Sequence, residues 1–340
     1  MKVAILHRFT PDRIAETNAS FKYLTEHHIG VELDVKTFKK FDRLNPIKKL
    51  LKSIFWIFYS PFLVMDEGYD IIYCDDSFPF YPLLVKLACP DSKVVIRLGD
   101  LHLMYYCSGL IYNFFHLFEI WTWKKVDMII AISETMAEYI RKESGRDVKV
   151  VLDPVDLDQF DISWYPQEIP MVIFHGTITK NKGLDRLIEA SKKLPHIRFR
   201  IIGNGEDLER LKKIAPKNVD FTGWIDFHSI RYHLSIASVG IAMRSKNQGN
   251  EYVVTSPFLQ YNALGVPCAV SHRKVFDDMG YPYQFETTDE LVALIKKLID
   301  KPKSWQGYVK THHGAKKIGR EIWYQLSSLE TKSRSSSRQA

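Results

Sequence analysis

What most constrains this chain is a repeated alternation of short apolar runs with amphipathic segments, kept up through both halves. In the first half, Val3 to Leu6, Val31 to Val35, Asp70 to Tyr73, Lys93 to Ile96, Met128 to Ile132 and Val148 to Leu152 read as strands. Thr17 to His27, ended by Gly30, and Leu83 to Ala88 read as helical. Ser133 is placed to cap a helix with Glu134 and Glu138 early and Arg141 and Lys142 in its last turn, the charge order a helix dipole favours. The second half repeats the pattern. Met171 to Phe174, Ile197 to Ile202, Val219 to Phe221, Ser238 to Met243 and Pro267 to Ser271 read as strands. Gly183 to Leu194, Leu208 to Ile214, Pro257 to Leu264 and Asp289 to Asp300 read as helices. Apolar runs without strict polar alternation, separated by helices, predict parallel sheets covered on both faces.

The expected fold is therefore α/β, with two doubly wound domains. A length of 340 residues is comfortable for two hydrophobic cores. The junction falls in the Pro-containing segment Asp158 to Pro170, giving domains at 1–160 and 161–331 and a Ser/Arg-rich, disordered tail at 332–340. Open sheets of this kind bind ligands beyond the C-terminal ends of their strands, and two such edges can face each other across a cleft.

The composition, 46% hydrophobic and 26% charged, supports an ordered fold and excludes wholesale disorder. The net charge of +7 favours an anionic partner without choosing among phosphates, nucleic acids and acidic membranes. Cys74, Cys89, Cys107 and Cys268 are scattered, with no metal-ligand spacing, and read as reduced in a cytoplasmic protein. The N-terminus reads as a first strand rather than a signal peptide. The longest apolar stretch, Ile54 to Met65, is about a dozen residues, holds Ser60 and Pro61, and is too short to span a bilayer.

The segments that follow strands carry the chemistry. His175-Gly176-Thr177-Ile178-Thr179-Lys180-Asn181-Lys182-Gly183 resembles a phosphate cradle: small residues expose N–H groups, a helix starts, and Lys182 adds a full charge. A polar loop with solvated lysines is the plain alternative. Gly203-Asn204-Gly205 permits a tight turn near a ligand, or simply links a strand to a helix. The loop after the first strand, His7 to Asp12, lacks GxGxxG, which argues against a nicotinamide dehydrogenase. Arg97, Asp100 and His102 form a polar constellation after another strand, with a structural histidine as the alternative. The run Arg244 to Glu251 suits a charged, hydroxyl-rich ligand or a solvated face.

In order, these segments resemble the retaining glycosyltransferases of the large family four, the two-Rossmann-domain or GT-B type. The family's strand, Gly-Arg, Lys-Gly, helix pattern is similar to Gly176-Thr177 and Lys182-Gly183, followed by Leu184 to Ala190. Ile-Gly-x-Gly appears as Ile202 to Gly205, and the Phe-x-Gly turn as Phe221-Thr222-Gly223-Trp224. The late Glu-x-x-Ala-x-Gly-x-Pro-Val helix appears as Gln260 to Cys268. In the first half, Ala131 to Met136 resembles the strand-Ser-helix segment, and Leu152 to Phe160 resembles the interdomain link. There are three departures. Thr177 replaces the Arg that grips the donor diphosphate, Gln260 replaces the second Glu that binds ribose, and Asp153-Pro154 replaces Asn-Gly.

The resemblance implies an acceptor-binding domain at 1–160 and a donor-binding domain at 161–331. It implies transfer of a sugar, with retention, from a UDP- or GDP-linked donor. Lys182, backbone N–H groups near Gly176, and Arg244 would stabilise the departing diphosphate. Gly203, Gly205, Gly223 and Trp224 would shape the nucleotide pocket, Gln260 would hold ribose, and Glu251 would orient the sugar hydroxyls. His102 and Asp100 would serve from the acceptor domain. Such enzymes need no structural metal and often no divalent ion, so no cofactor beyond the donor is expected.

The run Lys36 to Lys52, rich in Lys and Arg, reads as a basic helix joined to Ile54 to Tyr59. That combination fits a peripheral contact with an anionic membrane and a lipid-linked glycan or glycolipid acceptor. The aromatic stretch Met104 to Trp123 reads preferentially as a core helix. A sugar-nucleotide 2-epimerase and a catalytically silent nucleotide-sugar-binding scaffold stay open as alternatives. Nothing resembles a nucleic-acid motif.

Overall fold

The computed structural model describes residues 1–7, 32–37, 55–75 and 80–336. The helix expected at Thr17 to His27, the loop His7 to Asp12 beyond its first residue, and most of the basic run up to Lys52 lie outside the described residues. Two compact units are present, one made of Met1–Pro154 with Ala315–Ala340, the other of Val155–Gly314.

The first unit holds six parallel strands: β1 (Lys2–His7), β2 (Glu32–Thr37), β3 (Ile71–Cys74), β4 (Lys93–Leu98), β5 (Met128–Ala131) and β6 (Lys149–Val150), in spatial order β2-β1-β3-β4-β5-β6. Its helices are α1 (Tyr81–Ala88), α2 (His102–Tyr106), α3 (Gly109–Lys125) and α4 (Glu134–Ser144). Residues 55–59 are helical and run into a 3-10 turn at Ser60–Leu63. Ser133 caps α4 as expected: its hydroxyl accepts the Met136 N–H at 3.1 Å, and Gly145 ends the helix in the left-handed region at φ 68°.

The second unit holds β7 (Met171–His175), β8 (Arg198–Ile202), β9 (Val219–Gly223), β10 (Val239–Ala242), β11 (Cys268–Ser271) and β12 (Gln284–Phe285), all parallel, in order β12-β11-β10-β7-β8-β9. Between them run α5 (Asp185–Lys193), α6 (Leu208–Ile214), α7 (Ile230–Ser235), α8 (Ser256–Leu264), α9 (Lys274–Asp278), α10 (Thr288–Asp300) and α11 (Gln306–His312). The apolar strand residues all enter one core, with Val172, Ile173, Ile201, Ile241, Ala269 and Val270 fully buried. Counted within the unit, the strand order is the dinucleotide-fold order, whose direction reverses between its first and fourth strands. Here those are β7 and β10.

The last helix, α12 (Ala315–Ser336), belongs to the first unit. Ile318, Ile322 and Leu326, one helical turn apart, are buried against Val3, Ile5, Ile71, Tyr73, Val95 and Ile130. Those strand residues alternate along their strands and so cover one sheet face.

Several expectations are corrected here. The second unit is 155–314 rather than 161–331, because the chain returns to the first sheet at Ala315. The helix α12 continues through Ser336, beyond the Lys332 at which a disordered tail was expected. Lys36 lies within strand β2 rather than opening a basic helix. The stretch Met104 to Trp123 is not a core helix: α3 turns Leu110, Ile111, Phe114, Leu117 and Trp121 outward. The four cysteines are thiols, as expected, with Cys107 half-buried and the other three buried. Among the described residues no helix is long and apolar enough to cross a membrane.

Candidate functional site

The strand order of the second unit reverses between β7 and β10, so the loops that follow these two neighbouring strands stand side by side at the C-terminal edge of the sheet, the place where such folds bind ligands. The loop after β7 closes with a 3-10 turn at Lys180–Lys182 and Gly183 in the left-handed region at φ 67°. The loop after β10 contains a second such turn at Gln248–Tyr252. The two are tied together, since Ser245 N–H donates to the Asn181 carbonyl at 2.7 Å. Lys182 and Arg244 therefore belong to one joined rim.

Arg244 is ordered from within its own loop. Its Nη1 donates to Asn250 Oδ1 at 3.0 Å, while Asn250 Nδ2 donates to the Ser245 carbonyl at 2.9 Å. Asn250 is only 3% exposed, so its amide acts as an internal brace. Arg273, also buried, donates from Nη1 to the Val253 carbonyl at 2.8 Å and steadies the same segment from behind.

The glycines after β8 have a structural reason. Gly203 sits at φ +141°, and a Cβ there would lie 1.9 Å from the Gly176 carbonyl oxygen; at Gly205 a Cβ would lie 2.1 Å from that of Ile178. The loops after β7 and β8 thus touch backbone to backbone. Gly176 N–H donates to the Ile202 carbonyl and Ile178 N–H to the Asn204 carbonyl, both at 3.0 Å. This corrects the expected cradle, because the Gly176 N–H is already used inside the sheet edge. The positive charge of the rim comes from Lys182 and Arg244, and Thr177 of the β7 loop is exposed. Gly223 N-terminal to Trp224 ends β9, its carbonyl accepting from Gly203 N–H at 2.8 Å, and Trp224 is 72% exposed.

Helix α8 begins beside this rim. In β10, Gly240 has no side chain where the Tyr261 ring of α8 lies, since a Cβ would come within 2.4 Å of it. The Tyr261 hydroxyl donates to the Ile173 carbonyl of β7 at 2.6 Å, so α8 is locked across the two strands at which the order reverses. Its N-cap Thr255 is 6% exposed, and its hydroxyl has no hydrogen-bond partner among the described residues; neither has Gln260 Oε1, one turn into the helix. His175, the last residue of β7, is likewise buried with Nε2 unpartnered among the described residues. Burial, reinforced by the Lys182 charge, pushes its imidazole down to about 3. It is therefore neutral at neutral pH, able to donate or accept a hydrogen bond without carrying charge.

The remaining expected residues are placed as follows. Glu251 Oε2 accepts the backbone N–H of Lys274 at 2.8 Å, at the start of α9, so this carboxylate already has a structural task. His102 opens α2 and Asp100 precedes it, in the first unit after β4; Asp100 Oδ1 accepts the Tyr105 hydroxyl at 3.1 Å. Arg97 is not part of an open constellation. It is buried, with Nη1 on Asp75 at 3.3 Å and Nη2 on Asp153 at 2.6 Å, joining the ends of β3 and β4 to the segment that leaves the first unit at Pro154.

The topology thus brings Gly176, Thr177, Lys182, Gly203, Gly205, Gly223, Trp224 and Arg244 to the C-terminal edge of one sheet. It adds His175, Thr255 and Asn250, whose roles the sequence did not signal. A histidine ending a strand, an N-cap threonine and an asparagine in a polar loop are common, and only their burial singles these three out.

The family described as Glycosyl transferases group 1 matches residues 158–318, and the family described as Glycosyltransferase Family 4 matches residues 17–159. An uncharacterized glycosyltransferase of Methanocaldococcus jannaschii, MJ1069, is 28% identical over 201 residues, covering 52% of this chain and 50% of that protein. The lipopolysaccharide core biosynthesis glycosyltransferase LpsE of Rhizobium meliloti is 32% identical over 88 residues, 24% of each protein. The chain spans half or less of the length of these curated relatives. Among solved structures, Anabaena Alr3699/HepE in complex with UDP and glucose superposes with a TM-score of 0.72 at 14% identity, covering 96% of this chain and 100% of that one. At that identity the likeness speaks for the fold.

Proposed function

The chain belongs to the glycosyltransferases of the GT-B type, and on that premise we propose that it transfers a sugar, with retention, from a UDP- or GDP-linked donor to a lipid-linked acceptor at a membrane surface. The observation that carries the reading is the joined rim at the β7/β10 reversal, where Lys182 and Arg244 stand on two loops hydrogen-bonded to each other. As the bond from the anomeric carbon to the diphosphate breaks, negative charge grows on the leaving oxygens. Fixed cations at that edge stabilise this charge more in the transition state than in the ground state. Two cations in that place support a reaction that needs no divalent ion.

Neutral His175 and the N-terminus of α8 with Thr255 offer uncharged donors to the same group. Gln260 Oε1, buried and unpartnered among the described residues, is a free acceptor for a ribose hydroxyl. Glu251 is proposed to orient sugar hydroxyls with the oxygen that does not hold Lys274 N–H. His102 and Asp100 are proposed to act on the acceptor side. The UDP complex of the Anabaena protein supports a uridine donor. The role of the Rhizobium relative in lipopolysaccharide core biosynthesis supports a lipid-linked acceptor.

The test is calorimetric titration of UDP, GDP and their sugars into the protein, with Lys182→Ala as control. One nucleotide is expected to bind, and to lose about tenfold or more in affinity, about 1.4 kcal/mol or more, without the lysine. Binding that persists in the presence of EDTA supports metal independence. Absence of binding by every nucleotide overturns the donor-site reading. Binding without transfer to any lipid extract favours the silent scaffold.

A further inference from the structure

Helix α3 is inside out. Its buried residues are His116, Glu119, Thr122 and Trp123. The inward polar groups are satisfied by one another and by α4. His116 Nδ1 lies 3.0 Å from Glu119 Oε2, His116 Nε2 lies 3.2 Å from the Tyr139 hydroxyl and 3.5 Å from Glu143, and the Tyr112 and Tyr139 hydroxyls are 3.0 Å apart. The outward stripe is apolar: Leu110 is 87% exposed, Phe114 57%, Leu117 66% and Trp121 43%, at the i, i+4, i+7, i+11 spacing of one helix face. From Leu110 to Trp121 the one exposed polar side chain is Asn113.

This face does not stand alone. Phe55, Phe58, Tyr59 and Phe62 are exposed along residues 55–62. That segment packs beside α1, and α1 beside α3, with Leu87 of α1 exposed as well. The α3 stripe by itself presents on the order of 500 Å² of apolar surface, as much as the largest patch of an ordinary soluble monomer, and exposed Ile111, Phe115 and Phe118 of the same helix extend it beyond that. Water is a poor partner for such a face.

We infer that the outward face of α3, with the aromatic ridge at residues 55–62, docks into the interface of an anionic lipid bilayer. This deepens the membrane-surface reading above and rests on it. Charge selects this occupant. No acidic side chain is exposed on α3, because its one acid, Glu119, is buried. The helix ends in exposed Lys124 and Lys125, and Arg146 is anchored there on the Lys124 and Val126 carbonyls. The aromatic ridge directly follows Lys39, Lys40, Arg43, Lys48, Lys49 and Lys52 in the sequence. Lys124, Lys125 and Arg146 at one end of an aromatic face complement anionic headgroups over acyl chains. A second copy of this chain, at +7, would bring like charges together.

The test is co-sedimentation of the full chain with vesicles of phosphatidylcholine alone and of phosphatidylcholine with phosphatidylglycerol. The chain is expected to pellet with the anionic vesicles. Leu110→Gln/Phe114→Gln/Leu117→Gln should cut that partition by about tenfold or more, and Lys124→Glu/Lys125→Glu should weaken it in the anionic vesicles. Independently of any destabilised variant, brominated lipid should quench a fluorescence component of the parent that Trp121→Phe lacks. UDP titrations on the same variants should match the parent, so a failed donor site and a failed docking surface are read separately. A parent that stays in solution, a triple variant that pellets like the parent, or unquenched Trp121 overturns the inference. So does a parent dimer that the triple variant makes monomeric with vesicle binding unchanged, since the occupant would then be a second copy.

Discussion

At the scale of single residues, the candidate site depends on atoms that are missing as much as on those present. Gly203 and Gly223 both have positive φ, at +141° and +73°, but a Cβ at Gly203 meets the Gly176 carbonyl whereas one at Gly223 meets nothing within 4 Å. Gly203→Ala is therefore expected to cost about 3 kcal/mol or more in urea unfolding and to abolish nucleotide binding. Gly223→Ala should cost only about 1–2 kcal/mol, the conformational strain alone. Equal losses would show that the contact between the β7 and β8 loops is not what requires Gly203. The Ile-Gly-x-Gly pattern was legible in the sequence, but its reason was not. A string of residues shows that a side chain is absent, not which backbone occupies its place. The same holds for Gln260 and His175, whose residue types were plain and whose unpartnered, buried atoms were not.

At the scale of elements, the local signals were the readable ones. The cap at Ser133, the charge order along α4 and the bounds of α6 follow from interactions spanning three or four residues, which sequence spacing reports directly. Helix α3 shows where this stops. Its aromatic content reads as a core helix, but the polar face is the buried one. That buried network gives α3 and α4 a pH response. Burial pushes the His116 imidazole down, but the hydrogen bonds and charges of Glu119 and Glu143 outweigh it and raise the group overall; burial also raises Glu119. Both groups hold protons more tightly folded than unfolded, so stability falls as pH rises. The His116 contribution is fully present below its ordinary value of about 6.5 and is lost as pH climbs through the higher folded value. Thermal melts from pH 6 to 8.5 should show the first unit's Tm falling, with a shallower slope in His116→Gln; parallel slopes would remove His116 as the source.

At the scale of the molecule, the chain enters the second unit at Val155 and leaves it at Gly314, and α12 completes the first. Ile322 is fully buried against the first sheet although it lies far along the sequence from every one of those strands. Ile322→Ala should therefore cost about 2–5 kcal/mol and lower only the first unit's unfolding transition, while nucleotide binding, proposed for the second unit, survives. Loss of the second transition instead would contradict the assignment of α12. Reading 161–331 as one domain failed because an amphipathic stripe states that a helix must cover a sheet without stating which sheet.

The sequence by itself determined the α/β class, the parallel sheets, the two-domain order and the loops that carry Lys182 and Arg244, because hydrophobic period, caps and turn residues act over a few neighbouring positions. Tertiary structure alone decided that α12 covers the first sheet, that Arg97 is a buried clasp rather than a ligand group, that Glu251 holds a helix start, and that α3 faces outward. Each of these depends on which distant segments share a surface, and burial and partnership at such contacts are properties of the folded chain that no local spacing encodes.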